Sequence, residues 1–283
     1  MRNRHRTYQG RPLPRPQDEV VDQGLGFDLG TLLSRRRVLG LFGLGAAGLA
    51  LSACTPSATG TAPAGTSAAA AASLAEIPEE TAGPFPGDGS NGPDVLAQSG
   101  IVRSDIRSSF GAFTGTATGV PMNLELSIVD IANGGRPFQG VAVYVWQCDA
   151  LGRYSLYSDG VRNENYLRGV QIADAEGWVR FQSIYPACYP GRWPHIHFEV
   201  YPDQNSIADV ANVLVTSQVA LPQEASEAVY GQPGYEQSGP TFRQVSLARD
   251  SVFREDGGAS QLATVTGAVG TGYTAALRVG VDS

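Results

Sequence analysis

Five stretches of this chain are composed to lie extended. Val141-Ala142-Val143-Tyr144-Val145-Trp146 is an unbroken run of mostly β-branched and aromatic residues, whereas Leu124-Glu125-Leu126-Ser127-Ile128-Val129-Asp130 alternates apolar with polar. Trp178-Val179-Arg180-Phe181, His195 to Tyr201 and Tyr273 to Val281 continue the pattern. Residues of this kind fit a pleated surface with a side-chain period of two. Between the runs stand turn signals: Asn133-Gly134-Gly135, Ala150-Leu151-Gly152, Ala175-Glu176-Gly177 and Pro190-Gly191. Short runs at this spacing predict an all-β chain, a β-sandwich with long loops and few short helices. Asn205 to Val215 and Gln223 to Tyr230 are read as short helices or loops, and no internal repeat interrupts the series.

The first 53 residues read differently. Ser34-Arg35-Arg36-Arg37-Val38-Leu39 precedes an apolar run from Val38 to Ala50, 13 residues long. That is too short to cross a bilayer, which takes roughly twenty residues, so the run reads as the core of an export signal. Leu51-Ser52-Ala53-Cys54 closes it in the manner of a lipobox, with Cys54 as the lipidated residue. The adjacent arginines point to twin-arginine export, with an ordinary lipoprotein signal or a retained anchor as alternatives. Residues 54–76, rich in Ala, Ser, Thr, Pro and Gly, read as a flexible tether, and 77–283 as the folded domain. The expected location is outside the cytoplasm, lipid-anchored at the outer face of the cytoplasmic membrane or secreted.

Charge narrows the partners. The chain has no lysine, and after residue 53 it carries 12 arginines against 23 acids. So acidic a surface lacks the basic footprint that nucleic acid requires, and the membrane is approached only through the lipid anchor. A small organic molecule is the expected partner; the sequence specifies no oligomeric state.

Two of the three histidines, His195 and His197, stand one residue apart in an extended segment, where both rings face the same side. His5 lies in the leader. A His-x-His pair alone is commonly structural, but Tyr189 stands six residues before His195, with Pro190-Gly191 between to turn the chain, and Tyr154 follows the run ending at Trp146. Two phenolates and two imidazoles form a hard anionic set better suited to Fe(III) than to zinc. A phenol of ordinary pKa near 10 ionises at neutral pH only under a strong local charge, which a trivalent ion supplies.

The order of Asp149-Ala150-Leu151-Gly152-Arg153-Tyr154, Tyr166-Leu167-Arg168-Gly169, Asp174-Ala175-Glu176-Gly177, Ile184-Tyr185-Pro186, Tyr189, Arg192 and His195-Ile196-His197-Phe198 resembles the intradiol ring-cleavage dioxygenases, which include protocatechuate and catechol dioxygenases. Glu80-Thr81-Ala82-Gly83-Pro84-Phe85 is similar to that family's N-terminal signature, although Pro86 replaces its second aromatic residue, and the likeness runs from Glu80 to Gln218. It implies that Tyr154, Tyr189, His195 and His197 ligate one mononuclear non-haem Fe(III), and that Tyr189 leaves the iron when substrate binds. It further implies that Arg192 lies over the bound ring and that Gln218 lines the pocket. The implied reaction cleaves a catechol between its hydroxylated carbons and places both atoms of O₂ in a cis,cis-muconate-type diacid. No GxGxxG loop in strand-helix context calls for a nicotinamide or flavin.

Other readings stand beside these. Arg192 has the alternative of pairing with an acid on a neighbouring loop, and Arg168 of bracing the loop that carries Tyr154. Tyr144, Tyr157, Tyr166 and Tyr185 read as packing residues, with Tyr157 and Tyr166 near enough to line a pocket. Cys148 and Cys188 each stand close to a proposed tyrosine ligand and, in an exported protein, are expected to form a disulfide. The competing function is a non-catalytic, tethered sandwich that binds a metal or an aromatic ligand. Extradiol chemistry, which uses two histidines and a carboxylate on Fe(II), is disfavoured by the two tyrosines.

Overall fold

The computed structural model describes residues 74–283 and, apart from them, an antiparallel pairing of Thr7–Tyr8 with Arg11–Pro12. The export signal, the lipidation site Cys54 and the tether as far as residue 73 lie outside the described residues. Among the described residues no helix is long and apolar enough to cross a membrane.

Two sheets face each other. The first centres on β1 (Pro121–Asp130), whose alternation buries Met122, Leu124, Leu126 and Ile128. On one side β1 pairs in parallel with β9 (Gly272–Val281), which pairs antiparallel with β8 (Thr264–Ala268). On its other side β1 pairs antiparallel with β2 (Arg136–Pro137) and β5 (Trp178–Ile184). The second sheet runs β4-β3-β6-β7, all antiparallel: Arg168–Ile172, Ala142–Trp146, His195–Tyr201 and Val215–Ala220.

The second sheet is covered on both faces, which explains why β3 reads as an unbroken apolar run instead of an alternating one. Val143, Val145, Ile196, Phe198 and Val200 pack in the large core shared with β1. Ala142, Tyr144, Trp146 and Tyr201 belong to a second cluster with Val95, Leu96, Ile101 and Tyr154. Each face of an inner strand therefore carries its own sequence message, and β6 shows both: Ile196, Phe198 and Val200 on one side, His195 and His197 on the other.

All five predicted runs are strands. The α-helix α1 (Gln223–Tyr230) and two 3-10 turns, Ser206–Ala208 and Val210–Asn212, fill the segments read as helix or loop. A short helix α2 (Ser238–Phe242) and the strands β4, β7 and β8 were not anticipated. β4 opens Arg168-Gly169 and carries no aromatic residue; it is extended because Tyr144, Val145 and Trp146 of β3 hold it in register.

Candidate metal centre

Strand register assembles half of the site. Trp146 on β3, His197 on β6 and Gln218 on β7 are direct neighbours across three strands. The Trp146 indole lies on the His197 imidazole, centroids 4.9 Å apart and planes 8° from parallel. Loops bring the rest. The turn after β3 carries Tyr154, and the Tyr185–Pro194 connection into β6 carries Tyr189, with Gly191 in the left-handed region at φ 82° to reverse the chain.

These four side chains meet head to head. The Tyr154 hydroxyl is 3.2 Å from that of Tyr189 and 3.3 Å from His197 Nε2; the Tyr189 hydroxyl is 3.0 Å from His195 Nε2, which is 3.2 Å from His197 Nε2. Four donors converging this way could close on a single metal ion. His195 Nδ1 is engaged with the Trp193 carbonyl, an arrangement that fixes its tautomer and turns the Nε2 lone pair into the cluster. His197 Nδ1 and Trp146 Nε1 are buried without a hydrogen-bond partner.

Electrostatics agree with the donor set. Burial holds both imidazoles well below the usual histidine range, so each presents a neutral lone pair. Burial likewise raises the Tyr189 phenol to about 12, and burial with the neighbouring Tyr189 raises that of Tyr154 well above its ordinary value. Without a cation these phenols stay protonated, and a multivalent cation among them would reverse that preference. Among the described residues no group of three His, Cys, Asp or Glu side chains is placed to hold a metal, so any such centre here depends on the phenols. The residues present fit a ferric ion.

Arg192 makes the pair with an acid on another loop that was one of its two readings. Its Nε donates to Asp250 at 3.0 Å, and its Nη2 donates to Gln218 Oε1 at 2.6 Å. Gln218 is fully buried and passes its amide on to the Thr81 carbonyl at 2.9 Å. The N-terminal signature is thus a wall of the site. Gly83, at φ +70°, lies so close that a Cβ there would stand 3.3 Å from His197 Cε1. Gly83→Ala is expected to cost about 1–2 kcal/mol for the left-handed backbone alone and to push His197 aside; thermal denaturation and the iron content of the purified protein check both. Nearby, burial and then Glu255 push the Glu80 carboxyl up to about 7, against the opposing pull of Arg192.

Arg168 braces the Tyr154 loop. Its guanidinium, wholly buried, donates to Ser155 Oγ and the Ser155 carbonyl, to the Phe85 and Pro86 carbonyls and to the Tyr144 hydroxyl. Leu156 and Leu167, both with positive φ, flank this contact and concentrate strain in the loop. Tyr157 packs on Phe85, ring centroids 5.1 Å apart, and Tyr166 donates to Asp149. Tyr166 lines a separate cleft of about 510 Å³, together with Asp149, Arg153 and Pro233, that none of the four clustered residues borders.

The expected disulfide is absent. Cys148 and Cys188 are buried free thiols: the first is directed at the Ala187 carbonyl and the second at that of Arg192, each at 3.6 Å. The loop that brings Tyr189 to Tyr154 points the two sulfurs at different acceptors. Asp250 and Trp146, which hold Arg192 and His197, went unforeseen. Asp250 is 58 residues from Arg192 and carries no motif, while the pairing of Trp146 with His197 exists only once β3 and β6 are in register.

Residues 91–205 match a family described as dioxygenase. An 81-residue stretch is 40% identical to the protocatechuate 3,4-dioxygenase beta chain of Burkholderia cepacia, covering 25% of this chain and 34% of that one. A 56-residue stretch is 41% identical to catechol 1,2-dioxygenase of Candida albicans, covering 20% of this chain and 18% of that one. The matched stretches thus span about a third or less of these curated relatives. In fold, the chain is similar to an intradiol ring-cleavage dioxygenase from Tetranychus urticae, with a TM-score of 0.57 at 24% identity over 74% of this chain and 95% of that one.

Proposed function

The chain belongs to the intradiol ring-cleavage dioxygenase family, and from that premise we propose that it is a non-haem Fe(III) enzyme cleaving a catechol between its two hydroxylated carbons with O₂. The product is a cis,cis-muconate-type diacid that holds both oxygen atoms. The observation that carries this reading is the convergence of Tyr154, Tyr189, His195 and His197, hydroxyls and Nε2 atoms 3.0–3.3 Å from their neighbours, with Arg192 on the adjoining loop.

Tyr154, Tyr189, His195 and His197 would hold the ion. When bound, it would supply a Lewis acid that chelates the catechol oxygens and draws electron density from the ring. The chain's own groups do the rest. Tyr189, on a loop turned at Gly191, would accept a proton from the incoming catechol at its phenolic oxygen. Arg192, whose guanidinium never deprotonates, faces the negative charge that builds on the ring as it reacts. Gln218 and the Thr81–Gly83 wall keep that guanidinium and the imidazole of His197 from drifting. Trp146, Tyr144 and Phe85 exclude water from the far side.

The export reading belongs to the same proposal: a leader up to residue 53, a lipobox-like Cys54 and a tether ahead of the domain support a location outside the cytoplasm. Its substrate is then a catechol met outside the cell.

The test offers the iron-loaded protein catechol, protocatechuate, hydroxyquinol and substituted catechols while O₂ uptake and products are recorded. The pure protein is expected to be burgundy from tyrosinate-to-iron charge transfer. A colourless, fully iron-loaded sample, or one that consumes no O₂ with any catechol, would sink the assignment. Tyr189→Phe is expected to shift the visible band and slow turnover about 10–100-fold, the usual scale for disturbing a metal site short of losing the ion.

A further inference from the structure

Asp250 is buried to zero side-chain exposure, yet it belongs to neither the clustered tetrad nor the matched segment 91–205. Its two oxygens divide their work. Oδ1 accepts from the backbone N–H groups of Val252 (2.8 Å) and Phe253 (3.2 Å), closing its own turn. Oδ2 accepts from Arg192 Nε (3.0 Å) and from the Trp193 backbone N–H (2.6 Å). Four donors fill the acceptor sites of one carboxylate, which is what makes burial of its charge tolerable.

Trp193 is the residue whose carbonyl engages His195 Nδ1. Its indole donates to the Leu221 carbonyl at 2.7 Å, which pins the same residue from a third direction. The Phe253 ring meets the His195 ring edge to face, centroids 6.5 Å apart. One carboxylate therefore grips the guanidinium and, through a single residue, the peptide that orients the first histidine of β6. A free arginine side chain samples many rotamers, and here Nε is fixed by Asp250 and Nη2 by Gln218.

The geometry assigns Asp250 the part of a positioning residue for ring cleavage: it holds Arg192 over the reacting ring and steadies the His195 loop, acting through both and touching no substrate. This assignment rests on the proposed function. It also makes the C-terminal loop part of the active site although it lies far from the matched segment.

The experiment is a double-mutant cycle on the iron-loaded full chain with Asp250→Asn and Arg192→Gln. Asp250→Asn is expected to lower kcat about 10–100-fold with KM changed less than about 3-fold, because a small misplacement of a charge-stabilising group acts on the transition state. In the Arg192→Gln background the same substitution is expected to cost less than about a further 3-fold. Asp250→Glu, which keeps the charge, is expected to recover part of the rate, and it serves in the cycle if Asp250→Asn does not fold. Full additivity of the two costs, or a loss confined to melting temperature with the kcat and KM split unchanged, would overturn the role. The cycle is repeated on the affinity for 4-nitrocatechol, read from its visible shift. If the wild-type protein binds this analogue but cleaves no catechol, the proposed reaction falls and the binding cycle still judges Asp250. If it neither binds nor cleaves, both fall.

Discussion

Replacing His197 with alanine is expected to cut the iron retained by the purified protein to below roughly a tenth and ring cleavage by more than about 10²-fold, since disturbing even the partner of a metal-bound histidine costs 10–100-fold. The reason lies in how much converges on this ring. Its Nε2 sits 3.3 Å from the Tyr154 hydroxyl and 3.2 Å from His195 Nε2, and Trp146 covers its face. Among the described residues no imidazole other than His195 and His197 exists to substitute. Elemental analysis and O₂ uptake measure the two effects together. A variant that kept both iron and turnover would place the reaction elsewhere in the molecule.

Arg168→Met is expected to have the largest effect on stability. The substitution is close in length and leaves the hydrophobic surroundings filled, but it strands the carbonyls of Phe85 and Ser155 and strips one donor each from the Pro86 carbonyl and the Ser155 and Tyr144 hydroxyls, which keep their bonds among Tyr144, Pro86 and Tyr166. Among the described residues Arg168 makes no salt bridge, so those acceptors are what its charge rests on. Leaving a buried acceptor unsatisfied costs about 1–3 kcal/mol, and two stranded carbonyls in a domain of this size lower Tm by roughly 10 °C. Turnover should fall in parallel, since Ser155 follows Tyr154 directly. Arg168→Lys is not expected to rescue either property, as an ammonium cannot reach five acceptors in the plane of a guanidinium fork. A melting curve within about 2 °C of wild type would show that the loop is held by its own backbone bonds instead.

The candidate site was legible where its residues are adjacent in sequence. His195 and His197 are fixed relative to each other by the strand period alone, and Tyr189 and Arg192 are within six residues of His195. The pairing of Arg192 with an acid was legible in kind, while the identity of that acid was not. The disulfide went wrong for an instructive reason. Nearness of Cys148 and Cys188 to the two tyrosines predicts that the thiols come into the same region, but a bond also requires the Cβ vectors to point at each other, and these thiols point at two separate carbonyls. The strands β4 and β7 escaped notice because Arg168-Gly169 and Thr216-Ser217-Gln218 place polar residues inside a buried sheet, where side-chain hydrogen bonding and not apolar content makes burial tolerable.

By itself the sequence determined the all-β architecture, the position of five of its strands and the chemical kind of the proposed donors, because these follow from a period of two and from side-chain composition over a few residues. Only the tertiary structure decided that Tyr154 and Tyr189, 35 residues apart, touch the same point, that Trp146 covers His197, and that Asp250 reaches back 58 residues to hold Arg192. Such contacts are set by sheet register and by where loops close, and those depend on the packing of the whole domain rather than on any local run of residues.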